Sequence, residues 1–186
     1  RNFVLHVFNY FKPDFTGEGI YVTNMMPLLD GQGIRSDVLV KRTSPKKAGI
    51  REQRESAPVE HTIHYLPARR SRVFPSELQL LWWILRFGRR YGVIHYHAFC
   101  DRYFLSILAA RIYGCKVICS CTLDDGPGEV LKTYHPAYRW LVRKLYSLIH
   151  AFVTISPKLH DDGKGVIPDR KNRLIPQGVQ TPAEPC

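Results

Sequence analysis

The residues that could do chemistry fall in a few short stretches. TLDDGPGEV holds two adjacent carboxylates, Asp124 and Asp125, ahead of two glycines and a proline. Carboxylates can hold or move protons, yet Asp-Asp-Gly-Pro is equally good turn chemistry. VIHYH places His95 and His97 two residues apart, on one side of a strand. Gly17 and Gly19, in KPDFTGEGIYV, follow an apolar run and precede a helical pattern. Glycines there permit positive φ and close backbone approach, and a helix N-terminus above a sheet suits phosphate or carboxylate. The spacing is not that of the dinucleotide fingerprint, because GEG is followed by Ile20, Tyr21 and Val22. A tight strand-to-helix turn accounts for it equally well. Ser156–Pro157 is a helix start, with Ser as the cap and Pro in the first turn. Cys115, Cys119 and Cys121 form CxxxCxC, which has no second half and no clear histidine ligand. Buried free thiols explain it better than a metal site.

These residues need elements to hold them. Phe3, Val4, Leu5, Val7 and Phe8 predict a central strand covered on both faces. Further strands are predicted at 37–40, 62–66, 93–97, 116–121, 151–155 and 173–176. Helical patterns lie between them at 20–30, about 75–91, 99–113, 138–150 and from 157. Gly31, Gly33 and Gly114 serve as stops. Lys41–Pro58 reads as a polar loop. This alternation predicts an α/β fold, a doubly wound parallel sheet of the Rossmann-like kind. Ligands bind such sheets beyond the carboxyl ends of the strands. Gly17 and Gly19, His97, Thr122–Gly126, Ser156 and Gln177–Gly178 all fall on that rim.

The stretch 68–91 is unusual. Arg69, Arg70 and Arg72 precede an apolar helix containing Trp82 and Trp83, and Arg86, Arg89 and Arg90 close it. Leu78, Leu81, Trp82 and Leu85 make one stripe; Leu80, Ile84 and Phe87 make another. Such a helix is either well buried in the α/β layers or lies on a membrane surface with its arginines at the headgroups. In the helix at 138–150, Tyr138, Leu141, Val142, Leu145, Leu148 and Ile149 form the expected core stripe.

With 186 residues and 45% hydrophobic content, one domain is expected. Lys and Arg outnumber Asp and Glu by 27 to 16, giving a net charge of +11. This points to an anionic partner: nucleic acid, membrane or phosphorylated substrate. No run of about 18 apolar residues is present, so no membrane span is expected. The sequence enters a strand at once, without a leader pattern, and the five cysteines are odd in number, which together suggest a reducing compartment. The start at Arg1 and the end in TPAEP suggest a chain cut at a linker.

Taken together, the motifs resemble the N-terminal domain of a GT-B glycosyltransferase of retaining family 4. KPDFTGEGIYVTNMMPLLDGQGIRSDVLV is similar to that family's proline, glycine-rich loop, first helix and second strand. YGVIHYHAFCDRYFLSILAARIYGCKVICS is similar to its D-V-V-H-x-H strand, alanine-rich helix and following strand. AFVTISPKLHDD resembles D-x-V-I-x-x-S-x-x-L, and RLIPQGVQTP resembles I-x-V-I-P-N-G-V-D. Departures are Gln177 for the asparagine, the extra Gly19, and Thr122 where members often carry a histidine.

The resemblance implies a Rossmann-like acceptor-side domain over 1–180 and the start of an interdomain linker at 181–186, with the nucleotide-sugar domain beyond. It implies no cofactor other than a nucleotide-sugar co-substrate. The acceptor would be a glycan or lipid-linked molecule, and the place of action the cytoplasm, with peripheral attachment to the inner membrane face compatible with it. Thr122 and Asp124 would stand at the catalytic position; a threonine hydroxyl is no base near neutral pH. Gly17, Gly19, His97, Asp125 and Ser156 would line the substrate side. No metal ligand and no nucleic acid are expected. The competing expectation is a non-enzymatic basic module for an anionic membrane or nucleic acid.

Overall fold

The computed structural model describes residues 2–11, 17–41, 52–56, 59–66, 73–97, 103–121 and 126–176. Eight strands form one sheet: β1 Phe3–Phe8, β2 Arg35–Val40, β3 Glu52–Glu55, β4 His61–Tyr65, β5 Val93–Tyr96, β6 Lys116–Cys121, β7 Ala151–Thr154 and β8 Asn172–Leu174. Their order is β3-β4-β2-β1-β5-β6-β7-β8. Every neighbouring pair is parallel except β3 with β4. The direction of winding reverses at β1, so β1 and β5 flank the topological switch point where such sheets bind ligands.

The expected parallel sheet is present, with one correction. The polar stretch 41–58, read as loop, contributes the antiparallel edge strand β3. Its sequence EQRE has no apolar alternation to reveal a strand. It gains its conformation from hydrogen bonds to β4, and charges are what an edge strand exposes.

Among the described residues six α-helices connect the strands: α1 Gly17–Asp30, α2 Val73–Phe87, α3 Phe104–Ile112, α4 Pro127–Lys132, α5 Pro136–Leu148 and α6 Pro157–Asp162. Gly33 ends α1 at φ 72°, with Gly33 N–H donating to Asp30 O and Ile34 N–H to Leu29 O. Gly114 closes α3 in the same way at φ 74°, with Cys115 N–H donating to Ala110 O. Both are paired C-terminal bonds that need a left-handed residue.

The sheet is covered on two sides. Leu5, Val7, Ile94, Tyr96, Val117, Cys119 and Phe152 pack against α2, α3 and α5 through Leu80, Ile84, Ile107, Ala110, Val142, Leu145 and Tyr146. Phe8, Val38, Val40, Ile63 and Tyr65 pack against Val22 and Met26 of α1. Cys115, Cys119 and Cys121 are buried and form no disulfide, as expected. Within α5 the predicted core stripe holds at Val142 and Leu145, but Tyr146 takes a core place and Tyr138 is exposed.

α2 settles which of its stripes is inward. Leu80 and Ile84 are fully buried and Phe87 packs against the same cluster. Leu78, Trp82 and Leu85 face solvent, with Trp82 59% exposed. Trp83, expected on a membrane surface, is instead buried at 7% exposure, with ring contacts to His64, Phe87 and Tyr91. Adjacent residues on a helix point about 100° apart, so only one of the two tryptophans can share the outward stripe.

Candidate functional site at the carboxyl rim

The carboxyl ends of the seven parallel strands share one rim. Thr122, Asp124 and Asp125 come after β6 in the sequence but lie outside the described residues, as do Gln177, Gly178, Arg69, Arg70 and Arg72. Description resumes at Gly126, which opens α4. Asp162, at the end of α6, accepts from Gly128 N–H at 2.7 Å and Glu129 N–H at 3.2 Å. This carboxylate caps α4 from another element.

Gly17 and Gly19 were expected in a loop with positive φ. They lie instead in the first turn of α1, Gly17 exposed and Gly19 buried. Their use to a ligand is thus through a helix N-terminus rather than a left-handed turn. Ser156 caps α6, its hydroxyl accepting from Leu159 N–H at 3.3 Å, which is the cap the sequence predicts.

His97 was expected to reach sugar or acceptor. It is 2% exposed and stacks on Phe8 with ring centroids 4.4 Å apart. Sheet register explains its neighbours: His6 pairs with His95 across β1 and β5, and His97 follows on the same face. His6 Nδ1 and His97 Nε2 are hydrogen-bonded at 2.9 Å. His95 Nε2 is bonded to Ser120 Oγ at 2.7 Å.

Burial holds the His6 and His97 rings well below the ordinary imidazole range, and the neighbouring histidines push them the same way. Burial brings His95 down to about 4. All three are neutral near pH 7. One ring nitrogen from each lies within 4.8 Å of the others, the one metal-holding arrangement among the described residues.

A second group joins the rim between β1, β2 and α3. Tyr103 O–H donates to Asn9 Oδ1 at 3.0 Å, and Lys41 Nζ lies 3.7 Å from the Tyr103 ring centroid. Glu77 of α2 accepts from Ser106 N–H at 3.1 Å, in the first turn of α3. Its carboxyl is raised above the ordinary range by burial, opposed by the Ser106 amide and the Lys41 charge. Sequence reading missed Asn9, Lys41, Glu77 and Tyr103. The available signal was Glu77, a lone acid on the inward side of an otherwise apolar helix.

Among solved structures, a glycosyltransferase from Rickettsia africae matches with TM-score 0.60 at 15% identity, over 95% of this chain and 43% of its own. The apo form of the lipopolysaccharide outer core galactosyltransferase WaaB matches with TM-score 0.61 at 9% identity, over 95% and 46%. UDP-N-acetylglucosamine 2-epimerase from Rickettsia bellii matches with TM-score 0.54 at 9% identity, over 91% and 43%. At these identities the likeness is one of fold, and that fold serves an epimerase as well as transferases. The chain spans less than half the length of each. No curated protein sequence matches it significantly. Residues 16–178 match the model of the glycosyl transferase 4-like domain, and on that match across most of its length the chain belongs to this family, as a Rossmann-like domain of the GT-B N-terminal type.

Proposed function

We propose that this domain is the acceptor-side half of a retaining glycosyltransferase that moves a sugar from a nucleotide-sugar to a glycan or lipid-linked acceptor. The observation that carries the reading is the family match over residues 16–178. On this reading 1–180 is the acceptor domain and 181–186 begins the crossing to a nucleotide-sugar domain. Asp124, with Thr122 beside it, stands at the reacting centre, and Asp125 and Ser156 border it. The first turn of α1, with Gly17 and Gly19, offers amide dipoles to the leaving diphosphate, whose charge grows as the glycosidic bond breaks. Lys41 adds a cation at the same rim. His97 acts from beneath, by fixing the floor of the site, rather than by touching sugar.

The outward face of α2 supports a peripheral membrane role on the cytoplasmic side. Leu78, Trp82 and Leu85 are exposed, and α3, packed beside it, adds Leu108 and Ile112. Arg86 lies in the last turn of α2, and Arg89 and Arg90 in the 3-10 turn that follows it. Apolar wedges ringed by cations bind anionic bilayers without crossing them. Among the described residues no helix is long and apolar enough to cross a membrane.

The test uses the full-length protein with a panel of nucleotide-sugars and a membrane extract, following release of nucleoside diphosphate. Release that Asp124→Ala abolishes is the expected result. No release with any donor, together with salt-sensitive binding to nucleic acid, would replace this reading by a basic binding module.

A further inference from the structure

Beneath the rim, on the α1-facing side of the sheet, lies a group of buried side chains that touch neither sugar nor acceptor in the proposed transfer. We infer that His6, His95 and His97 form a binding site for one divalent transition-metal ion of the zinc class. Three strands of argument converge on it.

The first is placement. Three imidazoles come from two adjacent strands at fixed register, so the backbone sets their spacing rather than mobile loops. One nitrogen of each lies within 4.8 Å of the others. Zinc–imidazole bonds of about 2.0–2.1 Å require donor atoms about 3.4 Å apart in a tetrahedral site. The His6–His97 pair, at 2.9 Å, shows that two rings already approach that closely. A modest turn of the rings about their side-chain bonds brings in the third.

The second is a proton that an ion can replace. His6 is 1% exposed, and its Nδ1 faces His97 Nε2 at 2.9 Å, so one proton lies between two buried ring nitrogens. An ion bound there takes both lone pairs, and the proton moves to the far nitrogen of its own ring.

The third is the surround. Ser120 Oγ holds His95 Nε2 at 2.7 Å, the kind of outer contact that orients a ligating ring. Phe8 stacks on His97 and fixes its plane. An all-imidazole donor set suits zinc, copper or nickel rather than magnesium or calcium. Three ligands leave a fourth position for water or another oxygen.

The probe is cobalt(II), whose visible ligand-field bands report coordination. The full-length protein, purified without a polyhistidine tag and stripped with chelator, is titrated with cobalt and then with zinc. One equivalent should give the bands, and zinc should remove them. His6→Gln and His97→Gln should each weaken cobalt binding by about a hundred-fold or more. Ser120→Ala should weaken it about 10- to 100-fold, as outer-contact losses do. The exposed His135→Gln should leave it unchanged. Absence of bands in the unaltered protein overturns the inference, as does binding that survives in folded His6→Gln and His97→Gln. Should those variants not fold, Ser120→Ala decides: unchanged cobalt affinity overturns the site and weakened affinity supports it. None of these readouts is glycosyl transfer, so the metal site and the transferase reading stand or fall separately.

Discussion

Gly126→Ala should destabilise the domain through a carboxylate on another helix. α4 begins at Pro127 with Gly126 as its cap, and glycine offers no side chain to the first amides. Asp162 supplies the missing acceptor, through Oδ2, to Gly128 N–H and Glu129 N–H. A β-carbon on Gly126 would overlap that Oδ2 and lie 2.7 Å from Asp162 Cγ. The carboxylate must then swing away, and both bonds are lost. Bonds to charged groups contribute about 1.5–3 kcal/mol each, and loss of a helix cap costs about 0.5–2 kcal/mol. Because Glu129 is exposed, we expect about 2–3 kcal/mol for Gly126→Ala and about 2 kcal/mol for Asp162→Ala. The two should not add. Once Asp162 is alanine, the new methyl meets only a β-carbon 2.9 Å away, so the second change costs under about 1 kcal/mol. Urea unfolding of the four proteins of this cycle would give the coupling, expected at about 1.5 kcal/mol. Independent sites add within about 0.3–0.5 kcal/mol. A double variant as destabilised as the sum of the singles would refute the shared-carboxylate account.

The tryptophan pair offers a contrast: Trp83→Ala should cost about 3–5 kcal/mol in urea unfolding, whereas Trp82→Ala, at 59% exposure, should stay within about 0.5 kcal/mol. Trp82→Ala should nonetheless reduce sedimentation with anionic vesicles, and unchanged vesicle binding would remove α2 from the membrane face. Glu77 binds its proton more tightly folded than unfolded, because burial raises its carboxyl. Stability should therefore fall as pH rises from the ordinary value of 4.5 through the folded one, and Glu77→Gln should flatten that slope in unfolding measured across the range. Tyr91→Phe removes the 2.9 Å bond to buried Asp37 and should lower stability by about 2 kcal/mol by the same assay, with no loss of vesicle binding.

Strands that are apolar on both faces announced themselves. β1 and β6 fall where Phe3–Phe8 and Lys116–Cys121 predict them, because central parallel strands need continuous apolar runs. β3 did not, since EQRE owes its strand state to β4 rather than to its own residues. α4 was also missed. Its six residues include Gly128, and its start depends on Asp162, 34 positions away in the chain. For α2 two apolar stripes were visible, but choosing the inward one needs the position of α3, which no local pattern encodes.

The same division runs through the site. Residues that shape it locally, such as the Ser156 cap, were readable because their partners are three positions away. The histidines were not. His6 drew no notice within its apolar run, and of His95 and His97, expected on one side of their strand, only His97 was expected at the rim. What unites them is the parallel pairing of β1 with β5, 89 residues apart at the His6–His95 register, across a crossover that holds β2, β3, β4 and α2. The long crossover explains why the cluster is buried rather than exposed. The chain closes over both faces of β1 with elements that come before and after β5, so a side chain pointing to the α1 side, as His97 does, is covered by Phe8 from its own neighbour strand. A histidine beside a rim therefore carries no guarantee of touching substrate; the register of the neighbouring strand decides whether it faces the cleft or supports it.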